Sequence, residues 1–324
     1  MSPAEHDAPR DSIDLGPQPK SDGRFAARMR FHQSWYRATQ LRVPYGRGPR
    51  PTSPTSYGNM LCPEGAAEGK NFLTPGIFQL AQGRAATKDG VVEEYRLLHN
   101  MLSSQPMCFN LFGHLHTRPE LATPLVSALG YQDVDDVTCV KIEYAPSPKE
   151  EYLNDATAFD AYIEYKLADG QRGFIGIETK LSEHFSDKDY PIDDCRHRYS
   201  EWTDREGSPW PRESRDKLDD KLHNQLWRNH MLVEAHKVVG EYSCGDLLLV
   251  RHEDDGACGK IAKGYGDLCK PDDRSFRELT LEQIVAAWRP IACDPTDGAW
   301  LDAFHRRYCD LSASETDWRA RSGR

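Results

Sequence analysis

The segments Phe159–Leu167 (FDAYIEYKL) and Gly173–Leu181 (GFIGIETKL) decide the fold of this chain. The first alternates apolar and polar residues, which is typical of a β-strand, and the pair Asp169–Gly170 that follows it is typical of a tight turn. The second segment is the most apolar strand that the sequence contains. We therefore predict an antiparallel hairpin whose second strand is central in its sheet.

The elements on either side of this hairpin define the fold class. Further strands are predicted at Val137–Tyr144 and Asp246–Val250. Helical periodicity, Pro at a first turn and Gly as a stop predict helices at Val91–Ser103, Pro119–Leu129, Asp216–Val239, Thr280–Trp288 and Ala299–Cys309. This order predicts an α/β protein with an αβββαβ core, in which helices flank a central mixed sheet of four or more strands.

Length and composition exclude several classes of protein. A chain of 324 residues with a mean hydropathy of −0.71 can bury one sizeable core and contains no apolar run long enough to span a membrane. The first residues have no apolar stretch typical of a secretory signal. Nine cysteines without any C-x-x-C pair argue against a zinc ribbon or a disulfide framework, so we predict nine free cysteines and a cytoplasmic location.

Charge is distributed unevenly along the chain. The overall net charge is −10, yet residues 20–50 contain eight basic side chains against one acid, Asp22. Aromatic residues interleave with these arginines, an arrangement that can clamp a nucleic-acid backbone. We predict such contacts for Arg37, Arg42 and Arg47, although a solvated arginine-rich segment explains the charge equally well.

Composition also suggests boundaries along the chain. Residues 1–23 are rich in Pro, Asp and Ser and are predicted to be a disordered tail. Residues 24–90 form a basic N-terminal extension, residues 91–312 form the core, and residues 313–324 form a C-terminal tail. A single core fits the order of elements better than two.

The hairpin also brings acidic and basic residues together. Because side chains alternate between the faces of a strand, Glu178 and Lys180 point the same way, and pairing brings Asp160 close to them. Charges in so apolar a strand are costly unless they have partners. Two carboxylates offer hard oxygen ligands for Mg²⁺, which binds phosphate oxygens as well. Lys180 could then position a water molecule and stabilise the charge that develops on a phosphate.

The E-x-K pattern is weak in a chain with 28% charged residues. It recurs at Glu68–Lys70, among glycines, and at Glu164–Lys166, for which Glu143 on the preceding strand could supply the second acid. The related D-x-K at Asp219–Lys221 lies on a predicted helix. We favour Glu178–Lys180 because it is embedded in an apolar strand, whereas Lys166 is near a turn. An ordinary cross-strand charge cluster remains the alternative explanation.

The hairpin residues and the order of elements resemble those of a known family. The order of elements, with Asp160 and Glu178-Thr179-Lys180, resembles the PD-(D/E)xK nuclease superfamily, which has the restriction-endonuclease-like fold. Leu102–Pro106 (LSSQP) and Cys108–Gly113 (CFNLFG) are similar to a bacterial branch of restriction endonucleases, whose E-x-K-x-x-E strand end is matched when Glu183 is included. The resemblance covers about Glu93–Trp288, although Phe159 stands where the family motif has proline.

The resemblance implies a function and further site residues. It implies Mg²⁺-dependent hydrolysis of phosphodiester bonds, with Mn²⁺ as a substitute, double-stranded DNA as the partner, and a homodimer as a common arrangement. The superfamily often adds a glutamate from the first helix, and the predicted helical phase favours Glu94 over Glu93. Gln225 lies on the apolar stripe of the long helix and could contact the site or the DNA backbone. The alternative function is a non-cleaving nucleic-acid-binding or toxin-like module that retains the fold.

Two other histidines carry a weaker signal. His114 and His116 flank Leu115 and could form a metal pair, but the sequence places no third ligand near them. We predict that both lie in a loop and do not bind metal.

Overall fold

The computed structural model describes residues 13–87, 92–185 and 192–322. The strands are β1 Tyr45–Arg47, β2 Ser56–Leu61, β3 Val134–Tyr144, β4 Phe159–Leu167, β5 Arg172–Lys180, β6 Cys244–Arg251 and β7 Phe276–Thr280. The helices are α1 Arg24–Tyr36, α2 Pro63–Ala67, α3 Pro75–Thr87, α4 Glu94–His99, α5 Ser104–Thr117, α6 Pro119–Ala128, α7 Ile192–Thr203, α8 Arg215–Leu218, α9 Asn224–Val239, α10 Gly256–Gly266, α11 Leu281–Trp288, α12 Pro295–Tyr308 and α13 Glu315–Ser322.

The central sheet has five strands in the order β3-β4-β5-β6-β7. Strand β4 is antiparallel to both of its neighbours, β3 and β5, whereas β5, β6 and β7 run parallel to one another. The predicted hairpin is confirmed, with Ile163 opposite Ile175, and β5 is the central strand of a mixed sheet. Strand β7 was not predicted because its sequence, FRELT, is short and half polar, and all five of its residues are only partly buried.

Helices cover both faces of this sheet. On one face, Ile163 and Ile175 belong to the same core as Phe109 and Phe112 of α5. The alternate positions of the same strands, such as Tyr162 and Phe174, belong to a second core with Trp227 and Met231 of α9. Each fully buried large apolar side chain contributes about 1.5–3 kcal/mol, so the two cores hold the sheet between two helical layers. The predicted α/β fold class is therefore confirmed.

The region before β3 differs from the prediction of one helix over Val91–Ser103. Helix α4 has only six residues, because Asn100 adopts an extended conformation and pairs with Met60. The Ser103 side chain then caps a new helix, α5, by accepting a hydrogen bond from Gln105 N. Helix α5 was not predicted, and its last turn, which holds His114 and His116, was wrongly read as a loop. It is buried almost all round, so its sequence has no amphipathic pattern.

The predicted helix Asp216–Val239 is interrupted. Helix α8 ends at Leu218, and α9 begins at Asn224. Between them the carboxylate of Asp220 accepts hydrogen bonds from the backbone N–H groups of Leu222 and His223, which stabilises the break. Leu222 is 55% exposed, so its place on the predicted apolar stripe was wrong.

Both ends of the described chain pack against the body. Among residues 13–23, which were predicted to be disordered, Leu15 is only 2% exposed; residues 1–12 lie outside the described part. The extension that starts at residue 24 belongs to the same body, since Met29 and Ile77 are part of the main core. Residues 315–322 form helix α13 rather than a tail, with Trp318 edge-on to Phe31 at 5.1 Å.

Two general features complete the fold. Within the described ranges, no helix has the length and apolar character that crossing a membrane requires. The eight cysteines whose side chains are described are all free thiols, and the side chain of Cys195 lies outside the described part.

Candidate active site

The three predicted residues Asp160, Glu178 and Lys180 line one cavity of about 430 Å³. Ala161 of β4 lies opposite Ile177 of β5, which places Asp160 beside the end of β5. One oxygen of Asp160, Oδ2, accepts hydrogen bonds from Thr179 N at 2.7 Å and Thr179 Oγ1 at 2.8 Å. The structure therefore brings these three side chains together by strand pairing alone.

Glu178 and Lys180 form a buried ion pair. Their side chains are 4% and 8% exposed, and Lys180 Nζ lies 2.8 Å from Glu178 Oε1. Burial lowers the pKa of Lys180, but the charge of Glu178 and the hydrogen bond to it outweigh burial, so the pKa is raised overall. The lysine is therefore a cation throughout the physiological pH range.

Helix α9 completes this ion pair. Gln225 Nε2 donates to Glu178 Oε1 at 2.6 Å, and Gln225 Oε1 accepts from Lys180 Nζ at 3.0 Å. Asn229, one turn later on the same face, donates from Nδ2 to Glu178 Oε2 at 2.7 Å. The structure thus places Gln225 in the cavity, and it adds Asn229, which could have been found from its i+4 spacing.

Glu183 connects the end of β5 to the helices before the sheet. Its Oε1 accepts from Ser104 N at 2.6 Å and from Arg96 Nη2 at 2.9 Å, and its Oε2 accepts from Leu181 N at 3.2 Å. Burial raises the pKa of Glu183, but the charge of Arg96 and these hydrogen bonds lower it overall. Glu183 is therefore held ionised and is fully engaged by protein donors.

The prediction that the first helix contributes Glu94 to the cavity was wrong. Glu94 is exposed and is not among the described residues that line the cavity, whereas Glu93 is. The reason is that α4 starts at Glu94, with Glu93 as its cap accepting from Arg96 N at 3.1 Å. The helix buries Leu97, whereas the predicted core face ran through Tyr95 and Leu98, which are only partly buried, so the predicted helical phase was wrong. Val91, the first residue of that predicted face, lies outside the described residues.

Glu143 is a further cavity acid that the site prediction missed. It is 3% exposed, accepts from Gln105 Nε2 at 2.9 Å, and has a left-handed backbone with φ 56°. Such a conformation is costly for a residue other than glycine and is concentrated at functional sites. Arg84 supports it by donating to the carbonyl of Glu143 at 2.6 Å. The sequence offered Glu143 only as a partner for Glu164–Lys166, but it follows Ile142, which pairs with Ala161, and so lies beside Asp160.

The carboxyl groups of the cavity disfavour one another's ionisation. Burial, and then the charge of Glu178, raise the pKa of Asp160 to about 7. Burial, and then the charge of Asp160, raise the pKa of Glu143 to about 8. A cation between these groups would relieve both the desolvation and the repulsion.

The cavity offers an open rather than an enclosed site for a metal ion. Within the described residues, no three His, Cys, Asp or Glu side chains converge tightly enough to enclose an ion. Mg²⁺, however, is commonly bound by only one or two carboxylates, with water and phosphate completing its shell. Asp160 Oδ1 accepts no hydrogen bond from any described residue, and Glu178 adds a second hard oxygen donor. The residues present therefore fit Mg²⁺ or Mn²⁺.

The predicted arginine contacts separate into two groups. Arg37 is 2% exposed and donates to the backbone carbonyls of Gly58 at 2.7 Å and Asp14 at 2.6 Å. It is a structural residue, so its prediction as a phosphate contact was wrong. Arg42 and Arg47 are exposed but lie outside the described lining of the cavity, which instead includes Arg96 and Arg228.

The two candidate metal histidines are also structural. His114 stacks on Trp300 with 3.9 Å between ring centroids, and its Nε2 lies 2.9 Å from Asp297 Oδ1. His116 Nδ1 lies 2.8 Å from the carbonyl oxygen of Val140. Both rings therefore serve packing around α5.

Comparison with known proteins identifies the family. The family model of the PD-(D/E)XK nuclease superfamily matches residues 20–310, which is most of the chain. No curated protein and no solved structure matches the chain. The family model, the mixed sheet and the placement of an acid beside an E-x-K strand end agree, so the chain belongs to the PD-(D/E)XK nuclease superfamily.

Proposed function

We propose that this protein is a divalent-metal-dependent endonuclease that hydrolyses phosphodiester bonds of DNA. The observation that carries the proposal is the convergence of Asp160, Glu178 and Lys180 on one cavity, in a member of a nuclease superfamily. A restriction or defence role in the cytoplasm is consistent with the branch that the sequence resembles.

Asp160 and Glu178 would hold the metal, with Mg²⁺ as the expected ion and Mn²⁺ as a substitute. A bound divalent cation polarises the scissile phosphate and lowers the pKa of a coordinated water. The protein contributes the arrangement of the ligands. Thr179 orients one oxygen of Asp160, while Gln225 and Asn229 orient both oxygens of Glu178, so the carboxylates are set before substrate binds.

Lys180 would act on the water and on the developing charge. Its ammonium group is held 2.8 Å from Glu178, and the raised pKa keeps it protonated. From there it can orient a water molecule towards phosphorus and offset the extra negative charge of the transition state. The water oxygen bonds to phosphorus as one ester P–O bond breaks, the water proton goes to solvent, and the departing oxygen takes up a proton.

One observation favours the alternative of a non-cleaving binding module. Glu178 already accepts hydrogen bonds from Gln225, Asn229 and Lys180, so a metal would have to share its oxygens with these donors. A module that kept the fold without the reaction would retain this closed network. Metal binding therefore separates the two functions.

The decisive experiment combines cleavage and metal binding. Supercoiled plasmid and defined oligonucleotides are incubated with the protein in Mg²⁺, Mn²⁺ or EDTA, alongside an Asp160→Asn variant prepared in the same way. We expect cleavage in either metal, none in EDTA, and strongly reduced cleavage with the variant. Nucleic-acid binding without cleavage or metal uptake would instead establish the binding module.

A homodimer is proposed only in connection with duplex substrates. Two-fold symmetric DNA is matched by two copies of an enzyme, each cutting one strand. Sedimentation with and without duplex DNA would measure the state directly. A monomer under both conditions would contradict this part of the proposal.

A further inference from the structure

Helix α9 brings an arginine, Arg228, to the cavity that holds Lys180. The Arg228 side chain is part of the cavity lining, and the residue is only 4% exposed. Residues three positions apart are neighbours on the surface of a helix, so Arg228 lies beside Gln225. The part of α9 that binds Glu178 through Gln225 therefore also carries a guanidinium group.

Two hydrogen bonds orient the guanidinium group of Arg228. Its Nε donates to Asn224 Oδ1 at 2.8 Å, and its Nη1 donates to Thr157 Oγ1 at 3.3 Å. Thr157 is 7% exposed and belongs to the segment that leads into β4, the strand that carries Asp160. Both acceptors are uncharged, so these two bonds orient the group without cancelling its charge.

Arg228 and Lys180 occupy neighbouring parts of the cavity. Lys180 Nζ donates to Gln225 Oε1 at 3.0 Å, and Arg228 follows Gln225 by three residues, which is about 4.5 Å of helix rise. Both α9 residues lie in its first two turns, where the positive end of the helix dipole adds to their environment. Positive charge is thus concentrated where α9 meets the cavity, opposite the carboxylates of the strands.

The chemistry of a guanidinium group suits a phosphate. The group is planar and permanently charged, and it presents a fork of N–H donors that fits two oxygens of one phosphate. A DNA strand whose scissile phosphate lies at Lys180 carries its next phosphate close by. A cation on α9 would lower the electrostatic cost of bringing that second negative charge into a cavity that also contains carboxylates.

We propose that Arg228 binds the phosphate next to the scissile phosphate and thereby positions the strand that is cut. This inference rests on the proposed nuclease function and assigns it a further substrate contact. Gln225 and Asn229 act on a carboxylate of the protein, whereas Arg228 acts on the substrate itself. Thr157 is a positioning residue, because it acts through Arg228. The competing explanation is that Arg228 only ties α9 to the segment before β4.

The salt dependence of DNA binding tests this contact without cleavage. A short labelled duplex DNA is titrated in EDTA with the Asp160→Asn protein, and with the same protein carrying Arg228→Gln, at several salt concentrations. Each phosphate contact adds about 0.9 to the slope of log affinity against log salt concentration, so we expect Arg228→Gln to lower that slope by about one. Affinity at low salt should fall by about tenfold. An unchanged slope, or no DNA binding by either protein, would overturn the inference.

Further variants separate a phosphate contact from a structural tie. Arg228→Lys keeps the charge, so it should retain the slope and recover part of the affinity. Thr157→Val removes an acceptor but no charge, so it should weaken binding by less than about threefold and leave the slope unchanged. Arg215→Gln is the matched control and should change neither quantity, because Arg215 pairs with Asp204 at 2.8 Å and lies outside the described lining of the cavity.

Thermal melts identify the variants that are folded. If Arg228→Gln does not fold, Arg228→Met, which has a long uncharged side chain, takes its place in the salt titration. A structural tie predicts that Arg228→Lys and Arg228→Gln lose affinity equally and that neither alters the slope. That pattern would contradict the phosphate contact.

Cleavage kinetics distinguish failure of this inference from failure of the nuclease function. The charge of the neighbouring phosphate does not change during the reaction, so Arg228→Gln should raise KM about tenfold and leave kcat within about threefold of the wild type. A loss confined to kcat, with KM and the salt slope unchanged, would keep the nuclease function and overturn the contact. If no DNA is cut but Arg228→Gln still lowers the salt slope by about one, the nuclease function fails while Arg228 stands as a contact to DNA phosphate.

Discussion

Two E-x-K tripeptides occupy neighbouring strands of the same sheet and have different surroundings. Glu178 and Lys180 lie at the end of β5, where they contact each other and helix α9. Glu164 lies towards the hairpin turn of β4 and accepts from Tyr242 Oη at 2.9 Å, and Lys166 is exposed. The same three-residue pattern therefore forms a buried polar cluster in one place and a surface charge with a tyrosine-bound acid in the other.

The difference arises from which strand ends converge. At the end of β5, Asp160 of β4 and Glu143 of β3 lie beside Glu178, and the first turns of α9 supply amide donors. At the hairpin end, the acid meets Arg172 at 3.5 Å and tyrosine hydroxyl groups. A tripeptide acquires chemistry only where several elements bring further polar groups to it, and this can be tested by changing each motif in turn.

The largest effect on cleavage is expected from changing Asp160. Asp160→Asn removes the charge of a proposed metal ligand, so we expect cleavage to fall by on the order of 10²–10³-fold and Mg²⁺ affinity to fall with it. Glu164→Gln serves as the matched change on the same strand, and its activity should stay within about twofold of the wild type. Cleavage assays and calorimetric metal titration measure both. Native-rate cleavage by Asp160→Asn would show that the active site lies elsewhere.

Lys180→Ala should separate rate from metal binding. We expect a loss of about 10²-fold in cleavage with metal affinity retained, because the proposed role of the lysine is to act on the water and the developing charge. Lys166→Ala is the control and should change neither. If the cluster were only structural, removing Lys180 would leave Glu178 unpaired and cost ~3–5 kcal/mol of stability, without a separate effect on rate at a temperature where the variant is folded.

The two kinds of arginine in the basic segment should also differ. Arg37→Ala removes a buried guanidinium that binds backbone carbonyls, so we expect the free energy of unfolding to fall by about 2–3 kcal/mol. Arg47→Ala should stay within about 0.5 kcal/mol of the wild type. Urea unfolding measures both variants. If Arg47 contacts phosphate, its loss should lower the salt dependence of DNA binding by about one ion, and an unchanged slope would exclude that contact.

The smallest expected effect is a pH dependence of stability in EDTA. The pKa of Asp160 in the folded chain is about 7, above its ordinary value of 3.8, so the folded state binds more protons between these two pH values. The contribution of Asp160 to wild-type stability should therefore fall as the pH rises from 4 to 7 and then level off, while that of Glu143, whose pKa is raised to about 8, should go on falling to about pH 8. Asp160→Asn cannot ionise, so its advantage over the wild type should grow from pH 5 to pH 8, to about 1–2 kcal/mol. A difference independent of pH would contradict the raised pKa.

Local patterns were sufficient for the hairpin at the centre of the sheet. Strand alternation and the Asp169–Gly170 turn depend on residues close in sequence, and they predicted the hairpin, the central strand and the meeting of Asp160 with Glu178. The helices were predicted less accurately because their boundaries and burial depend on residues that are distant in sequence. Helix α5 is buried on all sides and has no periodic pattern to read, and the pairing of Asn100 with Met60 that ends α4 joins distant segments.

The remainder of the site depended on contacts between distant segments. Arg37 is buried by contacts with a distant segment, and Glu143, rather than the predicted Glu94, lines the cavity. The hydrogen bonds from Gln225 and Asn229 likewise join elements that are far apart in the chain. Residue type and spacing in the sequence indicate which groups could bind a metal or a phosphate. Only packing in three dimensions decides which groups are desolvated and which meet one another, because burial and electrostatic coupling arise between elements and not within them.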